Sequence, residues 1–481
     1  MVPMSGLPEL APWQFRLHGG EEGALQLETG PELPRLSLRD RSGAALGSVL
    51  GFVIDLRDGS LPRGEVVTDH RLDPADPDAF AIALREDLAG RFLLLIDAAG
   101  LRLAYPDAGA QVSCVYDKET GLTGSTADAL LSEAAYQDRF DAPLFETLGV
   151  DGEGWFPAGL TAHRGLTRLL PNHRLDLRSG EFRRFWPRAP LSQITDPEAG
   201  ARDFARLLKL QLRALAGGER RVALALTAGR ETRVLLACAR DFLDQIDVVT
   251  IVGSDRHAKD TQVARRIARR FGLRHREIPR RTATEEERRR FIRRGGHATA
   301  DSNSHFHPSV WEIAQTHVFV GGLWGEIGRA FFWRKDDTPD MQVTPKLLLR
   351  RFGLPDRSPR LTEALAQWLR GLEGWPARDI FDLAYLEHRL GPWGSAQFCC
   401  DPTLVRHAPM LTQSTARLML SLPPEWKQSS RLGTRVVALE WPELATIPYN
   451  SLGRLRDFRM KLERFLRNPA LLAKKLRKLR G

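Results

Sequence analysis

Cysteine is scarce in this 481-residue chain: Cys114, Cys238, Cys399 and Cys400 are the whole set, and no C-x-x-C pair occurs. Adjacent Cys399 and Cys400 suit neither a disulfide framework nor a zinc site. Reduced, mostly buried thiols in a cytoplasmic protein are expected. Long apolar runs are missing too. FLLLID (92–97) and VLLACA (234–239) fall far short of the roughly 20 residues a membrane helix needs, so no transmembrane segment is expected. The opening MVPMSGLPELAPWQF has no basic stretch followed by an apolar core, which argues against a secretory signal. Neither common glycine-rich nucleotide signature, G-x-x-x-x-G-K-[ST] or G-x-G-x-x-G, is present.

The hydrophobic share of 42% and charged share of 27% are those of a globular protein, and the length exceeds what one compact core usually organises. Two domains are therefore expected, over 1–190 and 196–453, with a separate tail over 454–481. The net charge of +10 belongs almost wholly to that tail. Between Arg454 and Arg480, eleven Lys or Arg residues face only Asp457 and Glu463, which accounts for nine of the ten charges. The body sums to near neutrality, so nucleic acid is not the expected partner. In the tail, Leu462, Phe465 and Leu466 share a helical face, as do Leu472, Leu476 and Leu479, with lysines and arginines over much of the rest. Such a segment suits an anionic membrane surface or an acidic partner, or stands as a solvated helix.

Residues 1 to about 190 read as β-rich: FVIDLRDGS (52–60), the stretch 90–117 and NHRLDLRSGEFRRFWP (172–187) are short apolar runs broken by Gly, Asp, Asn and Pro. After a Pro-containing polar linker, apolar residues at three- and four-residue spacing predict a helix over 196–216. Alternation then sets in. VALAL (222–226) reads as a short buried strand, and DVVTIV (247–252), HREIP (275–279) and HVFVG (317–321) as further strands, with helical stretches at 232–243 and 258–272. Strands alternating with helices predict βαβ units in a parallel sheet, which binds ligands beyond its carboxyl strand ends. The loops at 227–231, 253–257 and 322–329 lie on that edge. From about 360 onward the chain reads as mainly helical.

The loop Thr227-Ala228-Gly229-Arg230-Glu231-Thr232 has small residues behind a strand and an acidic residue opening a helix. Phosphates need inward backbone N–H groups, a helix N-terminus and room for close approach. The pattern alone fits phosphate binding and any other strand–turn–helix equally well.

The loop resembles the S-G-G-x-D-S phosphate loop of the asparagine synthetase family and other N-type ATP pyrophosphatases. Thr227 stands for the first Ser, Ala228 and Gly229 for the glycines, Glu231 for the Asp and Thr232 for the last Ser. Asp260, Ala264, Ala268, Gly272 and His275 are similar to the D-x3-A…A…LG-x-x-H pattern of the family's second helix. GGLWGEIG (321–328) is similar to its G-E-G-x-D-E loop, with Glu326 on the last acidic position. GRFLLLID, YPDAG and LLPNHRLDL resemble its glutaminase-type sandwich, and 424–450 its helical end, so the likeness spans most of the chain.

The resemblance implies an Ntn-type sandwich followed by a parallel-sheet ATP-pyrophosphatase domain with a helical C-terminal part. It implies ATP and Mg2+, with nucleotide contacts at Thr227, Ala228, Gly229, Glu231, Thr232, Val252, Gly253, Gly321 and Gly322. Metal would sit on Glu231 and Asp260, and chemistry on Glu326, Arg329, Lys427 and Arg435. The implied reaction is amide ligation through an acyl-adenylate, joining a small-molecule or peptide carboxylate to an amine or ammonia. Lasso-peptide cyclases and β-lactam synthetases are similar precedents; a nucleotide-binding scaffold without ligase activity is the alternative.

Departures are specific. Glutamine-dependent members carry a Cys at the mature N-terminus, where this chain has Val2 and Pro3, so an inactive glutaminase half is expected. Glu231 is a methylene longer than the usual Asp. Gly322 and Gly325 stand where acidic residues are usual, and Arg329 where glycine is. Ordinary readings sit beside these: a helix-dipole carboxylate for Glu326, a surface ion pair for Arg329, a first-turn helix residue for Asp260 and solvated charges for Lys427 and Arg435. His297, His305 and His307 lack a ligand partner at metal spacing, Cys238 reads as packing, and EEERRRFIRR (285–294) as a solvated helix.

Overall fold

The structure is a computed structural model that describes residues 7–18, 25–152, 154–253, 258–300, 302–399 and 405–451. Most of the loop at 253–257, the whole basic tail, Cys400 and the Cys399 side chain lie outside the described residues.

The first part is built on strands β1 (Phe15–His18), β2 (Gln26–Thr29), β3 (Arg35–Asp40), β4 (Ala45–Asp55), β5 (Glu65–Thr68), β6 (Leu88–Ala98), β7 (Leu101–Pro106), β8 (Val115–Asp117), β9 (Leu122–Gly124), β10 (Leu166–Arg168), β11 (His173–Asp176) and β12 (Phe182–Arg184). They form a seven-stranded sheet, β12-β11-β7-β6-β4-β3-β5, and a five-stranded sheet, β10-β8-β9-β1-β2. Pairing is antiparallel except between β3 and β5. The run FLLLI in β6 shows why no polar alternation was visible there. Successive side chains point to opposite faces. Leu93 and Leu95 join Phe15 and Leu17 of the other sheet, while Phe92, Leu94 and Ile96 enter the main core, so both faces are covered. Of the helices that went unread in this β-rich stretch, Pro77–Asp87 is the longest. It starts where Asp76 accepts a hydrogen bond from the Ala79 N–H and Pro77 takes the first turn, a capping signal present in the sequence.

The second part begins with the helix Pro197–Ala216, capped by Asp196 and preset by Pro197. Its buried stripe of Phe204, Leu207, Leu208, Leu212 and Leu215 anchors it, at roughly 1.5–3 kcal/mol for each large side chain removed from water. Strands β13 (Arg221–Ala225), β14 (Ile246–Val252), β15 (His275–Pro279), β16 (His317–Val320) and β17 (Arg406–His407) form an all-parallel sheet in the order β15-β14-β13-β16-β17. The chain runs outward from β13 through β14 to β15, then returns to the other side of β13. The strand order therefore reverses between β13 and β16, and such a switch point opens a crevice at the carboxyl strand ends. Helices dominate after residue 344, including Pro359–Arg370, Ala377–Ala384 and Arg431–Glu440, with a π-helical turn at Tyr385–Leu390.

The two parts share one apolar cluster reaching from Leu36 to Ile447. Among the described residues, no helix is long and apolar enough to cross a membrane.

Candidate functional site

At the switch point, β13 feeds the loop 226–229 into the helix Arg230–Cys238, whose N-cap is Gly229 without a side-chain cap. The loop's backbone N–H groups are turned to oxygen. Thr227 N–H donates to Thr232 Oγ1 at 3.2 Å, Gly229 N–H to Thr227 Oγ1 at 3.0 Å and Ala228 N–H to Asp260 Oδ1 at 3.0 Å. Asp260 arrives from the first turn of the helix Ala258–Phe271. One carboxylate oxygen thus occupies a backbone amide of the loop at the helix N-terminus. Gly229 has an ordinary extended backbone (φ −69°), so its value is space: a Cβ there would lie 3.1 Å from Thr227 Oγ1. Gly253, closing β14 beside Val252, does need glycine's freedom at φ +105°.

The loop after β16 brings the second set of groups. Arg329 Nη2 lies 2.5 Å from Glu231 Oε1 and 3.4 Å from Glu326 Oε1. Burial and the neighbouring Glu231 charge raise the Glu326 carboxyl above its ordinary range, while Arg329 opposes the shift. Gly322 and Gly325 now have a steric reason. A Cβ on Gly322 would stand 2.6 Å from Glu231 Cβ, and one on Gly325 2.8 Å from Glu231 Cγ. The first turn of the helix, which carries the longer Glu231, closes against a third loop stripped of side chains. Gly321 follows directly on β16, its N–H donating to His407 O at 3.3 Å. Trp324 adopts the left-handed region (φ +78°) and is buried against the first part, where a Cβ on Gly109 would come within 3.0 Å of its ring.

A third component escaped the sequence reading. Arg233, fully buried one turn into the loop helix, donates to Ala228 O at 3.1 Å, to Pro448 O at 2.7 Å and to Ile447 O. Asn450 N–H donates to Ala228 O at 2.9 Å, and Lys259 Nζ to Asn450 O at 3.2 Å. Tyr449 lies over both Arg233 and Arg230, with guanidinium carbons 4.4 and 5.6 Å from its ring centre. Burial lowers the Arg233 guanidinium to about 10. Segment 447–450 therefore straps the loop 226–229.

Lys427 and Arg435 make their described contacts elsewhere. Lys427 is buried, with Nζ 2.5 Å from Asp382 Oδ2 and 2.6 Å from Leu420 O. Burial pushes the Asp382 carboxyl up to about 6 while Lys427 pulls it down. Arg435 pairs at 2.8 Å with Glu198 of the preceding long helix. His297 packs on Phe140 and His163, His307 stacks on Phe291, and His305 is exposed. Cys238 is buried in the core, and Arg290 pairs with Glu286 at 2.5 Å in the helix Glu285–Arg294.

A cavity of about 30 Å³ beside Glu231, Gly325, Arg329, Met410 and Ser430 has room for water, far below the roughly 300 Å³ at which ligand pockets begin. A larger cavity of about 690 Å³ lies at the opposite, amino ends of the strands, between Phe52 and Leu61 of the first part and Gly218 and Gln315 of the second. No protein-family model matches this chain, and a comparison with curated proteins finds no relative.

Proposed function

We propose that this chain is an AMP-forming amide ligase of the asparagine-synthetase kind, with a glutaminase-like first part that no longer releases ammonia. One observation carries the reading: Ala228 N–H, in a small-residue loop at a helix N-terminus, is held by the Asp260 carboxylate. A carboxylate gripped by that amide stands in for a phosphate oxygen, and the same carboxylate suits a hard cation.

Asp260 and Glu231 offer the carboxylate oxygens that Mg2+ takes. Each spends one oxygen on Ala228 or Arg329, and among the described residues the second oxygen of each takes no hydrogen bond. Among the described residues no group of three or more such side chains gathers to hold a metal, so phosphate oxygens of ATP would have to complete the shell. Bound there, Mg2+ would supply charge neutralisation for pyrophosphate leaving the ATP α-phosphorus. The protein's own groups do the rest. Once Asp260 turns away, Ala228 N–H becomes a phosphate donor, and Thr227 and Thr232 offer hydroxyls beside it. A carboxylate has no leaving group at neutral pH, and its attack on the α-phosphorus gives it AMP as one. Glu326, its carboxyl raised by burial and by Glu231, would serve as the proton acceptor for the incoming amine. In the first part, Cys114 is buried and its thiol is pushed up to about 12, the reverse of an activated nucleophile.

The Arg329–Glu231 contact favours a second reading, a nucleotide-binding scaffold whose metal carboxylate is already neutralised. Pyrophosphate release from ATP and Mg2+, with and without a panel of carboxylic acids, separates the two. Acid-dependent release supports the ligase; nucleotide binding without release supports the scaffold.

A further inference from the structure

We propose that the cleft between the two parts, at the amino ends of β13, β16 and β17, binds a short apolar peptide in its zwitterionic form. The site lies apart from the candidate active site and stands whether or not the ligase reading does.

The cavity of about 690 Å³ falls in the range of about 300–1,000 Å³ usual for small-molecule sites. Both parts build it. Trp13, Leu36 and Phe52 line it from the first part, and Leu215, Val318 and Val405 from the second. The walls are set before a ligand arrives. Beside the cleft the two parts already touch: a Cβ on Gly218 would stand 3.1 Å from Leu61 Cδ1, and one on Gly59 2.9 Å from Leu210 Cδ1. Phe52 meets His407 edge-on with ring centres 6.1 Å apart, and the Arg91 guanidinium packs 4.5 Å from the centre of the Trp13 ring. Trp13 and Phe52 are only half-buried, so part of each ring remains uncovered. An apolar body that displaces water from these walls gains the hydrophobic term.

Charge sets the ends of that body. Four charged side chains line the cleft, Glu32 and Arg63 of the first part and Glu219 and Arg220 of the second. Arg63 and Glu219 neutralise each other at 2.8 Å across the parts. Glu32 and Arg220 are left, one of each sign. Among the described residues neither has an ion-pair partner: Arg220 Nη1 donates to Ala314 O at 3.4 Å, and the Glu32 carboxylate takes no hydrogen bond. Arg91, beside Trp13, tips the balance against a net cation, and burial keeps His407 neutral, lowered to about 3. A terminal carboxylate suits Arg220 and a terminal ammonium suits Glu32. A single charge on the same apolar body would satisfy one end only. A cleft of this volume measures roughly 9 Å across, the reach of two or three extended residues.

β13 and β16 run from this cleft to the loops at 226–229 and 321–329, roughly 13–17 Å away along four or five strand residues. A peptide seated here is clear of the phosphate-type loop.

The test is calorimetry of full-length protein at pH 7 with phenylalanyl-leucine, its N-acetyl form, its C-terminal amide and glycylglycine. Saturable binding of phenylalanyl-leucine is expected, with each blocked form at least about threefold weaker, the size of one partly exposed ion pair. Glycylglycine, which has both charges and no apolar body, should not bind. Arg220→Met should bind phenylalanyl-leucine and its amide alike while still discriminating against the N-acetyl form. Glu32→Gln should do the reverse. Glu32 is exposed and Arg220 half-buried, so both variants should melt as wild type does at pH 7. Failure of phenylalanyl-leucine to bind wild type, equal binding of glycylglycine, or discrimination that both variants retain overturns the proposal. Competitive displacement of the peptide by ATP with Mg2+ overturns it as well, because it would move the peptide to the carboxyl ends of the strands.

Discussion

Asp260 is where one side chain does most to decide between readings. Its carboxylate repels phosphate while it holds Ala228 N–H, and it attracts the metal that would draw it away. Asp260→Asn removes both effects, so they should separate in calorimetry. ATP affinity with Mg2+ should fall at least about tenfold, and pyrophosphate affinity without metal should hold or rise. Equal losses in both titrations would show that Asp260 only props the loop. Gly322 supplies a second test. Gly322→Ala drives a Cβ to 2.6 Å from Glu231 Cβ and 3.0 Å from Thr232 N, so the helix start must shift. Overpacking of that kind costs about 1–3 kcal/mol, and it should weaken nucleotide binding in the same titration. Unaltered binding and melting would remove Gly322 from the site. The loop letters, the alternating strands and the acidic position at 326 were legible because each is local. Arg233 and Tyr385 were not. Arg233 meets Ile447 across 214 positions, and Tyr385 stacks on Phe331, 54 positions before it in the chain.

Among the elements, strands were read more closely than helices. β15 has the predicted bounds, His275–Pro279, ending at a proline that has no N–H to continue the ladder. The helix expected over 232–243 stops at Cys238, and a 3-10 turn follows over Arg240–Gln245. Phe242, buried with φ −144°, breaks the helical path at that point, a tertiary demand the periodicity did not contain. The strap 447–450 matters most at this scale, since Ser451 and the basic tail continue directly from it. Arg233→Met keeps the stem but frees three carbonyls. It should weaken nucleotide binding several-fold while leaving the far-ultraviolet spectrum unchanged. Nucleotide affinity equal to wild type would reduce the strap to packing. If the tail seeks anionic surfaces, deleting residues 468–481 should abolish sedimentation with phosphatidylserine vesicles at low salt and spare ATP binding. Full-length protein that ignores such vesicles at 10 mM salt, where the Debye length is about 30 Å, leaves the tail a solvated helix.

Over the whole molecule, two parts that were expected to be separate domains meet through buried imidazoles. His163 of the first part packs 6.0 Å from His297 of the second, and both of its ring nitrogens are buried without a hydrogen-bond partner among the described residues. His388 accepts the Ala158 N–H, and His407 meets Phe52 edge-on. Arg293 reaches across to Asp128 and Glu133, and Arg184 to Glu387. Burial lowers His163, His388 and His407 to about 3, and His297 to about 4. Between those values and the unfolded value near 6.5, the unfolded chain binds protons that the folded chain refuses. Stability is therefore complete above pH 6.5 and falls as pH drops toward 4. At pH 5 each of the three fully buried imidazoles accounts for about 2 kcal/mol, together a large part of the roughly 5–15 kcal/mol that holds a domain folded. Because these groups line the junction, acid should part the two halves before it melts either one. Thermal unfolding at pH 7 should be a single transition, and at pH 5 it should be lower and split, with tryptophan emission reporting exposure of Trp324. His163→Phe isolates the cause. A phenyl ring suits the contacts with Tyr136 and Phe140 and has no nitrogen to protonate, so this variant should melt near wild type at pH 7 and above it at pH 5. A wild-type melting temperature that stays flat between pH 7 and pH 5 would show that the junction does not depend on neutral histidine.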